Sequence, residues 1–189
     1  MIRLFVGLPL DAAIAGRLDA LAAGIPGARW VAARNLHLTL RFIGEVDEGT
    51  AQEIDEALAG LSAPAFSLEL EGFGTFGGRK VHTLWAGVGR EVPLDRLQAK
   101  IEAAVVRAGL PREPRKFSPH VTLARLDGSP VSRIQDFITR NSPFRAGPWP
   151  VAAFTLFRSY LSRNGAEYEA VADYPLGGRD QSSLSSEAT

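Results

Sequence analysis

The chain of 189 residues has no cysteine, a single methionine and no long apolar run. Without cysteine there can be no disulfide, no thiolate metal site and no cysteine nucleophile, a usage that fits a reducing cytoplasm. No segment approaches the ~20 apolar residues that cross a bilayer. The start, MIRLFVGLPLDA, is too short an apolar run for a signal peptide, and Asp11 breaks it. Excess charge is missing too. Lys+Arg and Asp+Glu balance at 21 each, so no broad basic field exists to grip long nucleic acid, and any such substrate must be met locally. What remains, 46% hydrophobic and 22% charged residues, is the composition of a folded domain able to bury its own core.

Histidine is scarce as well, with three in the chain, and two of them stand in one frame. His37-Leu38-Thr39-Leu40 returns as His120-Val121-Thr122-Leu123, each with an arginine behind it, Arg41 and Arg125. Chance gives such a repeat with a probability on the order of one in ten thousand. The pair therefore marks a candidate active site. Strand alternation sets His37, Thr39 and Arg41 on one face, and Leu36, Leu38, Leu40 and Phe42 on the other. Two histidines facing one site can serve as base and acid in a single turnover, because an imidazole titrates near ~6.5. Threonine hydroxyls two residues along each strand can hold phosphate oxygens, and an arginine adds a charged donor fork.

Other candidates are weaker. His82 has threonine at the next position rather than two along, which suits a surface or packing role. A three-histidine metal site is disfavoured by the HxT spacing and by the lack of a carboxylate in either motif. Arg41, four residues past its histidine, shares its face, whereas Arg125, five past, turns away unless the strand bends. Phe42, Trp30, Phe73, Phe76 and Trp85 could stack on a base or fill the core. Arg112, Arg115 and Lys116 form a basic loop leading into His120.

Periodicity predicts strands at 4–8, 29–32, 36–43, 66–70, 81–88, 120–125, 154–161 and 167–174. Helices are expected from Asp11 to about Leu21, Asp47 to Leu61, Leu94 to Leu110 and Val131 to Arg140. Gly72 to Gly78 reads as a turn, Asn164-Gly165 as a hairpin reversal, and the tail after Leu176 as disordered. The class is α+β. The 83-residue offset of the two motifs (120 − 37 = 83) suggests a duplicated, two-lobed arrangement.

The paired motifs resemble the 2H phosphoesterase superfamily. The flanking segments RLFVGLPL, NLHLTLRFIGEV, FGTFG with LWAGV, FSPHVTLAR and SYLSRNGAEYEAV are similar to its RNA 2′,3′-cyclic phosphodiesterase, or 2′-5′ RNA ligase-like, branch. The resemblance runs from Arg3 to about Val171. It implies a single two-lobed domain over residues 1–176, with antiparallel sheets lining a central cleft and helices outside; the polar, serine-rich tail at 177–189, expected to be disordered, lies outside the resemblance. It also implies metal-independent hydrolysis of RNA or nucleotide 2′,3′-cyclic phosphate to the 2′-phosphate, with reverse 2′-5′ ligation as a side activity. Catalysis would fall to His37 and His120, and phosphate binding to Thr39, Thr122 and an arginine. The family pattern favours Arg125 for that arginine, the alternation favours Arg41, and both stay candidates. No cofactor or membrane partner is implied, and a monomer acting on RNA ends or nucleotides is expected. The alternative is a non-catalytic module that binds RNA ends or nucleotides.

Overall fold

A computed structural model describes residues 1–78, 80–162 and 165–177. The chain runs β1 (Ile2–Pro9), α1 (Ala12–Asp19), β2 (Ala28–Trp30), a 3-10 turn (Ala33–Asn35), β3 (His37–Val46), α2 (Glu48–Ala59) and β4 (Phe66–Phe76). It continues through β5 (Thr83–Val88), α3 (Val92–Arg107), β6 (His120–Leu126), α4 (Val131–Arg140), β7 (Arg145–Val151), β8 (Ala153–Ser162) and β9 (Gly165–Pro175). Local chemistry starts two helices as expected. The Asp11 carboxylate accepts from the Ala13 amide at 2.8 Å, and the Asp47 carboxylate from the Thr50 amide at 2.9 Å. In α3 the residues expected at helical spacing, Leu94, Leu97, Ile101 and Val105, are all buried. Gly109, at φ +92°, takes the left-handed conformation that ends the run.

Every strand pairing is antiparallel, in the order β7-β4-β5-β6-β3-β1-β8-β9, with β2 added alongside β6. The order divides into two four-stranded halves with β6 and β3 innermost. These two strands meet through one register pair, Leu38 with Val121. Helices α2 and α3 pack on the β3-β1-β8-β9 half, while α1 and α4 pack on the β7-β4-β5-β6 half. The α+β class and the two-lobed plan follow from this arrangement. No helix of the described residues is long and apolar enough to cross a membrane.

Two expectations need correction. β7, reading RAGPWPV, was not anticipated, because its two prolines break the strand signal. It lies at the end of the sheet and pairs with β4 alone, where a missing amide donor leaves no ladder bond unmade. The turn expected at Gly72 to Gly78 is strand as far as Phe76. Gly74 belongs there because the Trp85 ring lies across it, and a Cβ would stand 2.3 Å from the indole. The reversal expected at Asn164-Gly165 lies partly, and the tail from residue 178 wholly, outside the described residues.

Candidate active site

Each HxT motif opens a central strand, and the register brings the two together. Continuing the Leu38–Val121 pair by one residue each way sets His37 opposite Thr122 and Thr39 opposite His120 (37 + 122 = 39 + 120 = 38 + 121). Diagonal neighbours of this kind stand roughly 7–8 Å apart in a regular sheet, about the span of a phosphate group between two side chains. The histidines lie on one face of the sheet, where β3 and β6 join the two halves, close enough for the His120 charge to act on His37.

The two imidazoles are wired alike. His37 Nδ1 lies 2.7 Å from the carbonyl of Asn35, and His120 Nδ1 lies 2.6 Å from the carbonyl of Ser118. Each Nδ1–H therefore donates to the carbonyl two residues upstream, which leaves Nε2 as the lone-pair nitrogen of the neutral ring. His37 Nε2 stands 3.1 Å from the Thr39 hydroxyl. Burial is the main force on both rings and holds each below the ordinary imidazole value, against the opposing pull of the carbonyl bond. A smaller contribution on His37 comes from His120, so the pair is electrostatically coupled. Arg125 adds a smaller downward push on His120.

Aromatic walls fix the rings. Phe5 lies 4.6 Å from His37 between centroids, and Tyr168 meets His37 edge-on at 5.1 Å. Phe76 meets His120 edge-on at 4.7 Å, with Trp85 behind at 6.3 Å. Gly7 makes space for this packing, since a Cβ there would lie 3.4 Å from the His37 ring and 2.9 Å from the Leu38 carbonyl.

The arginines come out opposite to simple alternation, and one irregularity explains both. In β3 the pairing passes from Thr39↔Gly7 to Arg41↔Val6, so Leu40 is an extra residue. In β6 it passes from Thr122↔Trp85 to Ala124↔Leu84, so Leu123 is the extra one. A bulge puts two successive side chains on one face. Burial records this identically in the two strands: Leu40 and Arg41 are buried and Phe42 is exposed, while Leu123 and Ala124 are buried and Arg125 is exposed.

The expectation that Arg41 lines the cleft is therefore corrected. Its side chain is buried on the helix side, where Nε meets the Glu102 carboxylate at 2.5 Å. That contact is off the hydrogen-bond angle and acts as an ion pair. The guanidinium also donates to the carbonyls of Phe42 and Pro111, at 2.5 and 2.6 Å. Arg125 instead shares the cleft face, where it donates to the Thr83 hydroxyl at 2.9 Å. Thr83 is buried, and its oxygen also lies 2.9 Å from His82 Nδ1. Sequence reasoning missed Thr83, Phe5 and Tyr168. Thr83 alone left a signal, as a hydroxyl inside the apolar strand TLWAGV.

The remaining candidates divide. Trp30 and Phe73 pack against Phe137 of α4 and belong to the core. Phe76 and Trp85 line the site, and Phe42, expected on the core face, is 39% exposed. Arg115 is exposed and folds back on Glu113 at 2.9 Å. Among the described residues no cluster of three or more His, Cys, Asp or Glu side chains is placed to hold a metal ion.

Comparisons with known proteins converge on one family. Residues 10–162 match the 2′-5′ RNA ligase superfamily. The RNA 2′,3′-cyclic phosphodiesterase of Aeropyrum pernix is 34% identical over 157 residues, covering 81% of this chain and 89% of that protein. The protein of the same name from Geobacillus stearothermophilus is 31% identical over 181 residues, covering 92% of this chain. This chain spans only 57% of that relative's length. Apo LigT of Escherichia coli superposes with a TM-score of 0.77 at 28% identity, covering 94% of this chain and 98% of LigT. LigT complexed with 3′-AMP gives 0.77 at 26% identity, covering 94% and 99%. The sheet order, the duplicated HxT strands and the matched residues agree: the chain belongs to the 2′-5′ RNA ligase superfamily.

Proposed function

We propose that the protein hydrolyses RNA or nucleotide 2′,3′-cyclic phosphate to the 2′-phosphate by paired acid and base catalysis. One observation carries the reading: two imidazoles on adjacent central strands, each donating from Nδ1–H to the carbonyl two residues upstream and each with a threonine two residues on. The similar proteins named RNA 2′,3′-cyclic phosphodiesterase support the substrate class.

In this scheme a water molecule attacks phosphorus in line with the bond to the 3′ oxygen. His120, the more open ring, takes the water proton on Nε2, and His37 delivers a proton to the departing 3′ oxygen. The new P–O bond replaces the broken P–O3′ bond, leaving a 2′-phosphate and a 3′-hydroxyl. Thr39, Thr122 and Arg125 donate to the non-bridging oxygens as charge builds on them. With an RNA 5′-hydroxyl in place of water, the same displacement leaves a 2′-5′ linkage. The scheme needs no metal or second subunit, and the absence of cysteine fits a reducing cytoplasm.

The test is incubation with the four nucleoside 2′,3′-cyclic phosphates, and with an RNA ending in a cyclic phosphate, in EDTA. Release of 2′-phosphate product unaffected by the chelator is expected. Tight binding without turnover makes the protein a binding module, and loss of activity in EDTA makes it a metal enzyme. Either result defeats the scheme.

Thr83 provides a finer test through Arg125. Its buried hydroxyl accepts from the guanidinium. A hydrogen bond to a charged group contributes about 1.5–3 kcal/mol, and part of that loss reaches the substrate through a less ordered Arg125. Thr83→Val keeps the shape of the side chain and is expected to lower kcat/KM severalfold, mainly through kcat. An unchanged kcat/KM in steady-state assays shows that Arg125 needs no such support.

A further inference from the structure

We infer that Phe42 and Arg3 form a second-nucleotide site, which binds the RNA nucleotide preceding the one that carries the cyclic phosphate. The inference rests on the cyclic-phosphate reading above and extends it from mononucleotides to chains.

Matched bulges give Phe42 in β3 the place that Arg125 has in β6, the cleft-facing position five residues past each histidine. One such position carries a cation beside the reacting group. The other carries an aromatic ring that is 39% exposed, directly after the buried Leu40 and Arg41. Leaving that much ring in water forgoes the stabilisation that burying it would bring. Among the described residues no aromatic side chain packs on Phe42; what covers it is the Arg3 guanidinium, 5.1 Å from the ring centroid. Arg3 stands opposite Glu45 in the register, yet among the described residues it forms no ion pair with that carboxylate and turns to the ring instead.

The platform is continuous with the catalytic wall. Phe5 pairs with Phe42 in register and lies against His37. Tyr168 touches both Phe5 and His37, and it lies near enough to Arg3 and Arg125 to feel both positive charges. A flat ring with a cation on it is what a single-stranded nucleotide recognises: a π surface for the base and a counter-charge for its phosphate. A mononucleotide whose phosphate lies between the histidines has no further phosphodiester to place on Arg3. The occupant that fits is the next nucleotide of an RNA strand.

Replacing Phe42 with alanine separates this from a structural role. Stacking on one aromatic is worth about 1–3 kcal/mol by alanine substitution, or roughly 5- to 150-fold. With a dinucleotide ending in 2′,3′-cyclic phosphate, Phe42→Ala is expected to raise KM at least fivefold with kcat unchanged. With the corresponding nucleoside 2′,3′-cyclic phosphate, both constants should stay within about twofold. Phe42→Trp should keep the preference for the dinucleotide. Arg3→Gln should weaken the dinucleotide alone and reduce its salt dependence. Equal losses on both substrates, or none on either, overturn the site. Should the wild type turn over neither substrate, the catalytic reading fails and binding decides this one. The probe is then a labelled 2′-O-methyl dinucleotide 3′-phosphate, followed by anisotropy against its mononucleotide. Weaker dinucleotide binding alone in Phe42→Ala sustains the site, and unchanged binding removes it.

Discussion

Alanine in place of His37 or His120 is expected to lower turnover of a nucleoside 2′,3′-cyclic phosphate by about 10²- to 10⁴-fold, with KM little changed. That is the usual contribution of a placed acid or base. The double variant should fall by little more than either single one, since the two groups act in one step. The pH profile carries the sharper signature. Burial lowers both imidazoles; the His120 charge lowers His37 further, and the Arg125 charge does the same to His120. The base must be neutral and the acid protonated, so kcat/KM should be bell-shaped with its maximum on the acid side of the ordinary value near ~6.5. His120→Ala should abolish the acid limb and His37→Ala the alkaline limb. A wild-type profile flat across this range defeats the paired scheme.

The same burial ties stability to pH. Each folded-state value lies below that of the unfolded chain, so acidification protonates the unfolded chain first. The histidines' contribution is complete above about 6.5 and declines as pH falls through the folded-state values. Urea unfolding between neutral pH and pH 5 should show this decline for the wild type and a shallower one for His37→Gln.

Removing Glu102 is expected to produce the largest loss of stability among these changes. Glu102→Ala takes the carboxylate from a buried guanidinium, and breaking such a pair from one side costs about 3–5 kcal/mol. The low end is expected here. Arg41 keeps two backbone carbonyls and a more distant Glu113 carboxylate at 3.8 Å. Glu102 also accepts from the Glu113 amide at 3.0 Å, so its loss should loosen the loop leading towards His120. Exchanging both partners, as Arg41→Met with Glu102→Met, leaves no buried charge and should recover most of the stability. Urea midpoints measure each step. KM for the cyclic phosphate should remain near wild type in the double variant, because Arg41 is turned from the cleft. A large rise in KM at unchanged stability would return Arg41 to the phosphate.

The candidate site residues were legible because they recur. A histidine frame stated twice, with threonine at the strand period, identifies strands and the faces of their first residues without any knowledge of their partners. The helices were legible for a similar reason: Asp11, Asp47 and the apolar spacing of α3 act within one or two turns of chain. β7 was hidden because proline is acceptable only where a strand has one neighbour, and neighbours are a tertiary fact.

The sequence by itself determined the α+β class, the two motifs and the chemistry their side chains can perform. The tertiary structure alone decided that Arg41 is buried against Glu102, that Arg125 is exposed and held by Thr83, and that Phe42 is exposed rather than in the core. The physical reason is the bulge. One unpaired residue reverses every side chain beyond it, and Leu40 and Leu123 become extra only when measured against strands β1 and β5 beside them.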